Sequence, residues 1–304
     1  MIDISPYKFN QPNGGGKKEW VHVAPCPDVY RGKYRDVDYP GEDLGVKYAE
    51  DVKKICEDIK SKGKGVQAFI AESLISVGGQ IIPPKSYFKN VYKHVREAGG
   101  ICIADEVQVG FGRVGSHVWA FQLYGNDLIP DIVTIGKPMG NGHPVAAVVT
   151  TPEVAESFRK TGIHYFNTYG GNPVSCAVAN AVMEVLEREN LQKHALVVGD
   201  HLITELKKLA QRHPMIGDVR GAGLFVGIEL VRDRTKRLAA TAEAEHIVSR
   251  MKEEKIIISS DGPDNNILKL KPPMVFSIEN ADHVVAVLDE LLKEVEVDIE
   301  EVRM

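Results

Sequence analysis

The sequence predicts an α/β fold: a mainly parallel sheet in a large domain over residues 1–204, and a small C-terminal α+β domain over residues 205–304. Short apolar runs alternate with segments of helical period from about residue 46 onward, the pattern of strand–helix–strand crossovers. Three of those runs end directly in a charge, at Glu72, Asp105 and Lys137. After Gly217 the pattern changes to apolar strands with polar helices between and after them. The length of 304 residues agrees, because a domain averages roughly 150 residues.

Each element has a local cause. Val52, Ile55, Cys56 and Ile59 recur at helical spacing, and Gly63 and Gly65 stop that helix. Val66 to Ala71 is a short apolar run ending at Glu72, a candidate buried strand. Pro83-Pro84 opens a helix with Tyr87, Val91 and Val95 on one face, closed by Gly99-Gly100. Ile101 to Ala104 ends at Asp105, Ile132 to Ile135 ends at Gly136-Lys137, and Val145 to Val149 adds a fourth strand; such a parallel sheet is expected to be covered on both faces. Asn172 caps a helix with Pro173 in its first turn and a stripe of Ala177, Val178, Ala181, Val185 and Leu186. Helical character continues from Leu196 to Leu209. In the small domain, strands are expected at Leu224–Leu230, Ile256–Ile258 and Ile267–Ser277. The first forty or so residues lack a clear period, which reads as a chain that begins inside a larger domain.

Composition narrows the partners. Hydrophobic residues at 43% and charged residues at 26% are ordinary globular values and argue against disorder or a coiled coil. With 42 acidic against 37 basic side chains the net charge is −5, and there is no long basic run, so neither nucleic acid nor an anionic membrane surface is expected. No apolar stretch approaches the roughly 20 residues of a membrane span. Cys26, Cys56, Cys102 and Cys176 lie far apart with no Cys-x-x-Cys, and no His-Glu-x-x-His occurs. Four reduced thiols in an intracellular protein, and no metal site, are expected. The N-terminus has neither a secretory nor a transit-peptide pattern.

The chemistry gathers where strands end. In open α/β sheets ligands bind at the carboxyl edge, which is where Glu72, Asp105 and Lys137 fall. A single charge there is commonly a helix cap or a surface ion pair; three, of both signs and beside Gly-rich turns, point to a site. Lys137 sits in Gly136-Lys-Pro-Met-Gly-Asn-Gly-His-Pro144, where glycines and prolines leave no room for a helix. A lysine wedged between a buried strand and such a turn is partly desolvated, as an imine-forming amine needs to be; the plain alternative is a lysine bonding local carbonyls. Asp105 precedes it by one crossover and requires a cation, either a ligand's or that of Lys137 or Arg113. Thr168-Tyr-Gly-Gly-Asn-Pro173 offers a hydroxyl and free N–H groups at a helix start, suited to a phosphate or simply to a capped helix. Gly110-Phe-Gly-Arg-Val-Gly115 fits a dinucleotide fingerprint, but Asp105 and Glu106 would repel the pyrophosphate there, so nicotinamide binding is not expected.

Asp105-Glu-Val-Gln-Val-Gly-Phe-Gly-Arg113, the Gly-Lys137-Pro turn, Asn167-Thr-Tyr-Gly-Gly-Asn-Pro173 and Arg220-Gly-Ala-Gly-Leu-Phe-Val-Gly-Ile-Glu229, with Pro272-Pro273, resemble the class III pyridoxal phosphate (PLP) aminotransferases in order and spacing. The resemblance implies the fold type I of PLP-dependent transferases, with Asp105 on the pyridine nitrogen, Gln108 near the ring hydroxyl, Glu72 beside the cofactor and Lys137 carrying it as an imine. It also implies a homodimer in which Thr168 reaches the cofactor phosphate of the neighbouring subunit, and a mitochondrial or cytoplasmic setting. Within the family, Leu74-Ile-Ser-Val-Gly-Gly-Gln-Ile-Ile-Pro-Pro84, Gly140-Asn-Gly-His-Pro144 and Asp261-Gly-Pro263 are similar to the ammonia-phospho-lyases, which eliminate ammonia and phosphate from small phosphorylated amines such as phosphoethanolamine. Many aminotransferases of the class carry an Arg fork for the substrate carboxylate where this chain has Lys269; Lys269 and Lys271 offer point charges on one strand face, suited to a substrate phosphate or to a solvated edge. The same residues serve an alanine:glyoxylate or ω-amino aminotransferase. Family members also carry a Gly/Ser-rich phosphate loop and a stacking aromatic upstream of the point where this chain starts. An N-terminally shortened, non-catalytic form is therefore the third expectation.

Overall fold

The computed structural model describes residues 2–13 and 15–303. After a short helix α1 (Pro6–Phe9) and an irregular arm, Asp43 caps α2 (Leu44–Ser61) by accepting from the Gly45 and Val46 N–H groups. There follow β1 (Ala68–Glu72), α3 (Tyr87–Glu97), β2 (Ile101–Asp105), β3 (Ile132–Ile135), β4 (Ala147–Thr150), α4 (Pro152–Lys160), α5 (Pro173–Arg188) and α6 (Leu191–Arg212). The chain finishes with β5 (Ile216–Ala222), β6 (Phe225–Asp233), β7 (Leu238–Ala239), α7 (Thr241–Glu253), β8 (Ser259–Asp261), β9 (Ile267–Leu270) and α8 (Ile278–Arg303).

One sheet runs β1-β2-β3-β4, with β1, β2 and β3 parallel. The second runs β5-β6-β9-β8 and is antiparallel throughout, with β7 on β6. A core of Tyr48, Leu74, Val91, Val95 and Cys102 seats α2 and α3 on the first sheet, and Leu202, Leu206, Ile228, Leu230, Ile247 and Leu288 seat α6, α7 and α8 on the second. The two are joined: Phe225 of β6 packs in the first core, and α6 passes through residue 205 without a break.

The N-terminal arm is a strap across both layers. The buried Tyr48 hydroxyl donates to Asp28 O at 2.7 Å and accepts from Tyr34 N at 2.9 Å. Arg31 pairs with the fully buried Glu229 of β6, and Arg237 with Asp36 at 2.7 Å. Among the described residues no helix is long and apolar enough to cross a membrane.

Several expectations need correction. The fourth strand is antiparallel to β3 and begins at Ala147, because the turn of residues 137–140 reverses the chain instead of starting a crossover. Val148 and Val149 are exposed, and α4 buries no side chain, so that end of the sheet is not covered on both faces by the described residues. On α5 the apolar stripe has the expected period, yet Ala177 and Ala181 are exposed and only Ser175 and Ala179 are buried. The strand expected at Ile256–Ile258 forms instead at Ser259–Asp261, and β9 stops at Leu270 because Pro272-Pro273 removes two N–H donors.

Candidate functional site

Glu72 faces Asp105 in the β1–β2 register, and Asp105 faces Thr134, three positions before Lys137. Parallel neighbours lie about 4.8 Å apart, so all three expected charges stand at one sheet edge. The Asp105 Oδ1 accepts from Val107 N–H at 3.0 Å, and no described cation pairs with the carboxylate. Glu72 accepts from Val77 N–H at 3.2 Å; burial raises its pKa above the ordinary value, and the charge of Asp105 adds to the rise.

Residues 137–140 form one turn of 3₁₀-helix, where a helix-free loop was expected, and Lys137 holds a φ of 25°, a strained value for a side-chain-bearing residue. Lys137 is an exposed residue, where a partly desolvated one was expected, and it makes no hydrogen bond or ion pair with a described residue. The ion pairs of Asp105 with Lys137 or Arg113 are not formed; Arg113 donates to Leu224 O at 3.1 Å and Pro272 O at 2.8 Å. An unpaired carboxylate and an unpaired amine thus stand on adjacent strand ends.

The residue just past β9 of the second sheet reaches this edge. Lys271 donates to Gln108 Oε1 at 2.6 Å and to Ser76 Oγ at 3.2 Å. Burial, then the positive charges of Lys269, Lys137 and Arg113, press its pKa down to about 8, with Glu72 opposing. Lys269 is committed to Asp261 at 2.5 Å. Thr168 lies in the exposed turn ahead of α5 and hydrogen-bonds to none of these groups. The structure therefore brings together Glu72, Asp105, Gln108, Lys137 and Lys271, places Lys269 beside them in its own ion pair, and leaves Thr168 apart.

The sequence reading missed three supports. Ser76 belongs to a tight turn in which Gly79 (φ 105°) lets β9 approach so closely that a Cβ there would meet Ile267 Cδ1 at 2.1 Å. Arg220 holds that turn by donating to Gly79 O at 3.1 and 2.7 Å. His143 Nε2 meets Ser175 Oγ at 2.8 Å, tying the Lys137 turn to α5, whose cap Asn172 accepts from Ser175 N–H at 2.9 Å. Of these, Asn172 was expected as a cap, whereas Ser76, His143 and Arg220 fall within the motifs of the family resemblance with no role assigned to them.

The donor set suits PLP: an unpaired carboxylate for a pyridinium nitrogen, a free amine for its aldehyde, and the Gln108 side-chain amide, which is bonded to Lys271. Glu106, beside Asp105, is not available to a ligand. It is fully buried, bonded to Ser73 Oγ and to the N–H groups of Ala120 and Phe121, and burial pushes its pKa up to about 7. No group of three or more potential metal ligands occurs among the described residues.

Comparison with known proteins identifies the family. The class III aminotransferase family matches residues 13–292. A Drosophila melanogaster protein named alanine–glyoxylate aminotransferase 2-like is 62% identical over 93% of this chain and 57% of its own length. The Caenorhabditis elegans ethanolamine-phosphate phospho-lyase homolog 1 is 49% identical over 96% of this chain and 64% of its own. Among solved structures, a phospholyase from Arthrobacter in complex with phosphoethanolamine superposes with a TM-score of 0.83 at 39% identity, over 90% of this chain and 63% of that one. The chain thus spans about three fifths of the length of these relatives. A family match over nearly all of its residues, with relatives well above a third identical along most of the chain, makes this chain a member of the PLP-dependent class III aminotransferase family.

Proposed function

We propose that the protein to which this chain belongs is an ammonia-phospho-lyase that converts phosphoethanolamine to acetaldehyde, ammonia and phosphate. The observation that carries this reading is Lys271: a cation at the sheet edge with neutral hydrogen-bond partners, in the field of Lys137, Lys269 and Arg113. Such a cluster attracts a dianion, whereas the planar fork that grips a carboxylate bidentately is absent from the Lys269 position. The phosphoethanolamine bound by the Arthrobacter relative supports the same substrate class.

PLP, when bound, supplies an electron sink for the carbon next to the substrate nitrogen. In this reading Asp105 accepts the ring N–H and keeps that nitrogen protonated, and Gln108 holds the ring hydroxyl. Lys137, once its amine is released by the substrate, takes the Cα proton as general base. Glu72 would line the cofactor site beside Asp105, and Lys271 with Lys269 would fix the substrate phosphate. Phosphate on the adjacent carbon would then leave; a substrate without such a leaving group would give transamination instead.

An aminotransferase is the second reading, favoured by the name of the Drosophila relative. Incubating the protein with PLP and phosphoethanolamine, and measuring acetaldehyde and free phosphate, separates the two. Amine transfer to pyruvate or glyoxylate without phosphate release refutes the lyase. Absence of cofactor absorbance favours the shortened, non-catalytic form.

A homodimer belongs to the proposal, with Thr168 contacting the partner's cofactor phosphate. The exposure of Ile163, Tyr165, Phe166, Tyr169 and Val174 around it supports this, since solitary chains rarely present such a run to water. Sedimentation equilibrium tests it; a monomer at micromolar concentration refutes it.

A further inference from the structure

We propose that Lys271 is the proton donor to the departing phosphate, a role distinct from that of Lys269. This rests on the lyase reading above and assigns a second catalytic residue within it. The two lysines are not equivalent in the structure. Lys269 is neutralised by Asp261 at 2.5 Å and serves as a fixed charge. Among the described residues Lys271 has no carboxylate partner: it is held by Gln108 Oε1 at 2.6 Å and Ser76 Oγ at 3.2 Å, two neutral acceptors that orient the ammonium without quenching its acidity.

The groups facing Lys271 come from every neighbouring element. They are Lys269 from β9, paired with Asp261, Lys137 from the turn after β3, Arg113 from the loop after β2, and the carboxylate of Glu72 from the end of β1, which stands beside Asp105. Burial first, and then these neighbouring positive charges, make the Lys271 proton easier to give up, and its pKa of about 8 matches a donor working near neutral pH. An arginine at this position would bind phosphate as well but could not release a proton.

The step balances. Lys137 removes the Cα proton, the C–O bond to phosphate breaks with its electron pair passing to the leaving oxygen, and that oxygen takes the proton from Lys271 Nζ. Hydrogen phosphate departs, and water hydrolyses the unsaturated amine to acetaldehyde and ammonia. The amine of Lys271 recovers its proton from solvent; nothing is oxidised or reduced overall.

The test uses inorganic phosphate first, titrated into the full chain between pH 7.5 and 9.5 by calorimetry. Wild-type affinity is expected to fall about tenfold as Lys271 loses its proton. Lys271→Gln binds about tenfold more weakly with little pH dependence, and Lys271→Arg binds within about threefold of wild type and stays flat. In the PLP-loaded protein, Lys271→Arg slows phosphate release from phosphoethanolamine by about 10²-fold or more. The deficit shrinks with ethanolamine O-sulfate, whose leaving group needs no proton. Lys271→Gln binding phosphate as wild type does, or Lys271→Arg turning over phosphoethanolamine at the wild-type rate, overturns the proposal. A wild-type protein that transaminates without releasing phosphate instead overturns the lyase reading, and this inference with it.

Discussion

Removing the Arg220 guanidinium is expected to be among the most damaging single changes outside the reacting groups, and the cost follows from the contacts. Glu229 is fully buried and relies on two arginines, Arg220 at 2.8 Å and Arg31 from the N-terminal strap. Arg220 also donates twice to Gly79 O, across 141 residues of sequence. Arg220→Met leaves a buried carboxylate with half its compensation, a loss of about 3–5 kcal/mol. It also strips the Gly79 carbonyl of its donors, worth about 1–3 kcal/mol and overlapping the first figure. A net loss of about 4 kcal/mol is expected, read as the shift in urea unfolding of the full chain followed by circular dichroism. Glu229→Gln in the same background removes the stranded charge, so the double variant should recover about 1–3 kcal/mol relative to the sum of the singles. Arg220→Met within 1 kcal/mol of wild type, or a double variant equal to that sum, refutes the reasoning. Because the Gly79 turn carries Ser76, a folded Arg220→Lys should still loosen Lys271, which phosphate titration would detect.

Three other outcomes follow from single contacts. Tyr48→Phe leaves the Asp28 carbonyl and the Tyr34 N–H without their buried partner, and should cost about 2–4 kcal/mol and expose residues 28–38 to limited proteolysis; an unchanged digestion pattern contradicts the strap. Asn172→Ala removes the acceptor for Ser175 N–H, and a loss of about 1 kcal/mol is expected, with no change in melting counting against the cap. Burial works to raise the Asp289 pKa, but bonds from His213 and Lys293 and the charge of Arg212 prevail and bring it down to about 2 from 3.8. A depressed carboxylate contributes stability that is present above pH 4 and lost as pH falls through about 2. For this partly exposed group that is about 1–2 kcal/mol; Asp289→Asn should flatten the acid limb of a melting series, and an unaltered limb contradicts the assignment.

Much of the site could be read from the chain because strand ends are local features. An apolar run followed at once by Glu72, Asp105 or Lys137 fixes each residue at the sheet edge before any tertiary contact is known, and the parallel register of β1, β2 and β3 then aligns them. What could not be read depends on distant segments. Nothing near Ser76 signals that Lys271 will reach it across 195 positions, nor does Arg31 announce Glu229. The antiparallel β4 was missed because a strand's direction is set by the connection, and one 3₁₀ turn after Lys137 carries no strong signal. On α5 the period was right and the burial wrong, for periodicity identifies the face that seeks a partner but not whether a partner lies in the same chain. Lys269 and Lys271 looked alike on one strand face; only Asp261 beside the first and Gln108 beside the second separate them.

In the proposed site the free amine of Lys137 holds the cofactor while Asp105 faces its ring. Borohydride reduction of the PLP-treated protein, followed by peptide mass mapping, tests this most directly. A single pyridoxyl adduct on the peptide containing Lys137, lost in Lys137→Ala and much reduced in Asp105→Ala, is the predicted result. An adduct carried by Lys271 or Lys269, or one that persists after Lys137→Ala, contradicts it.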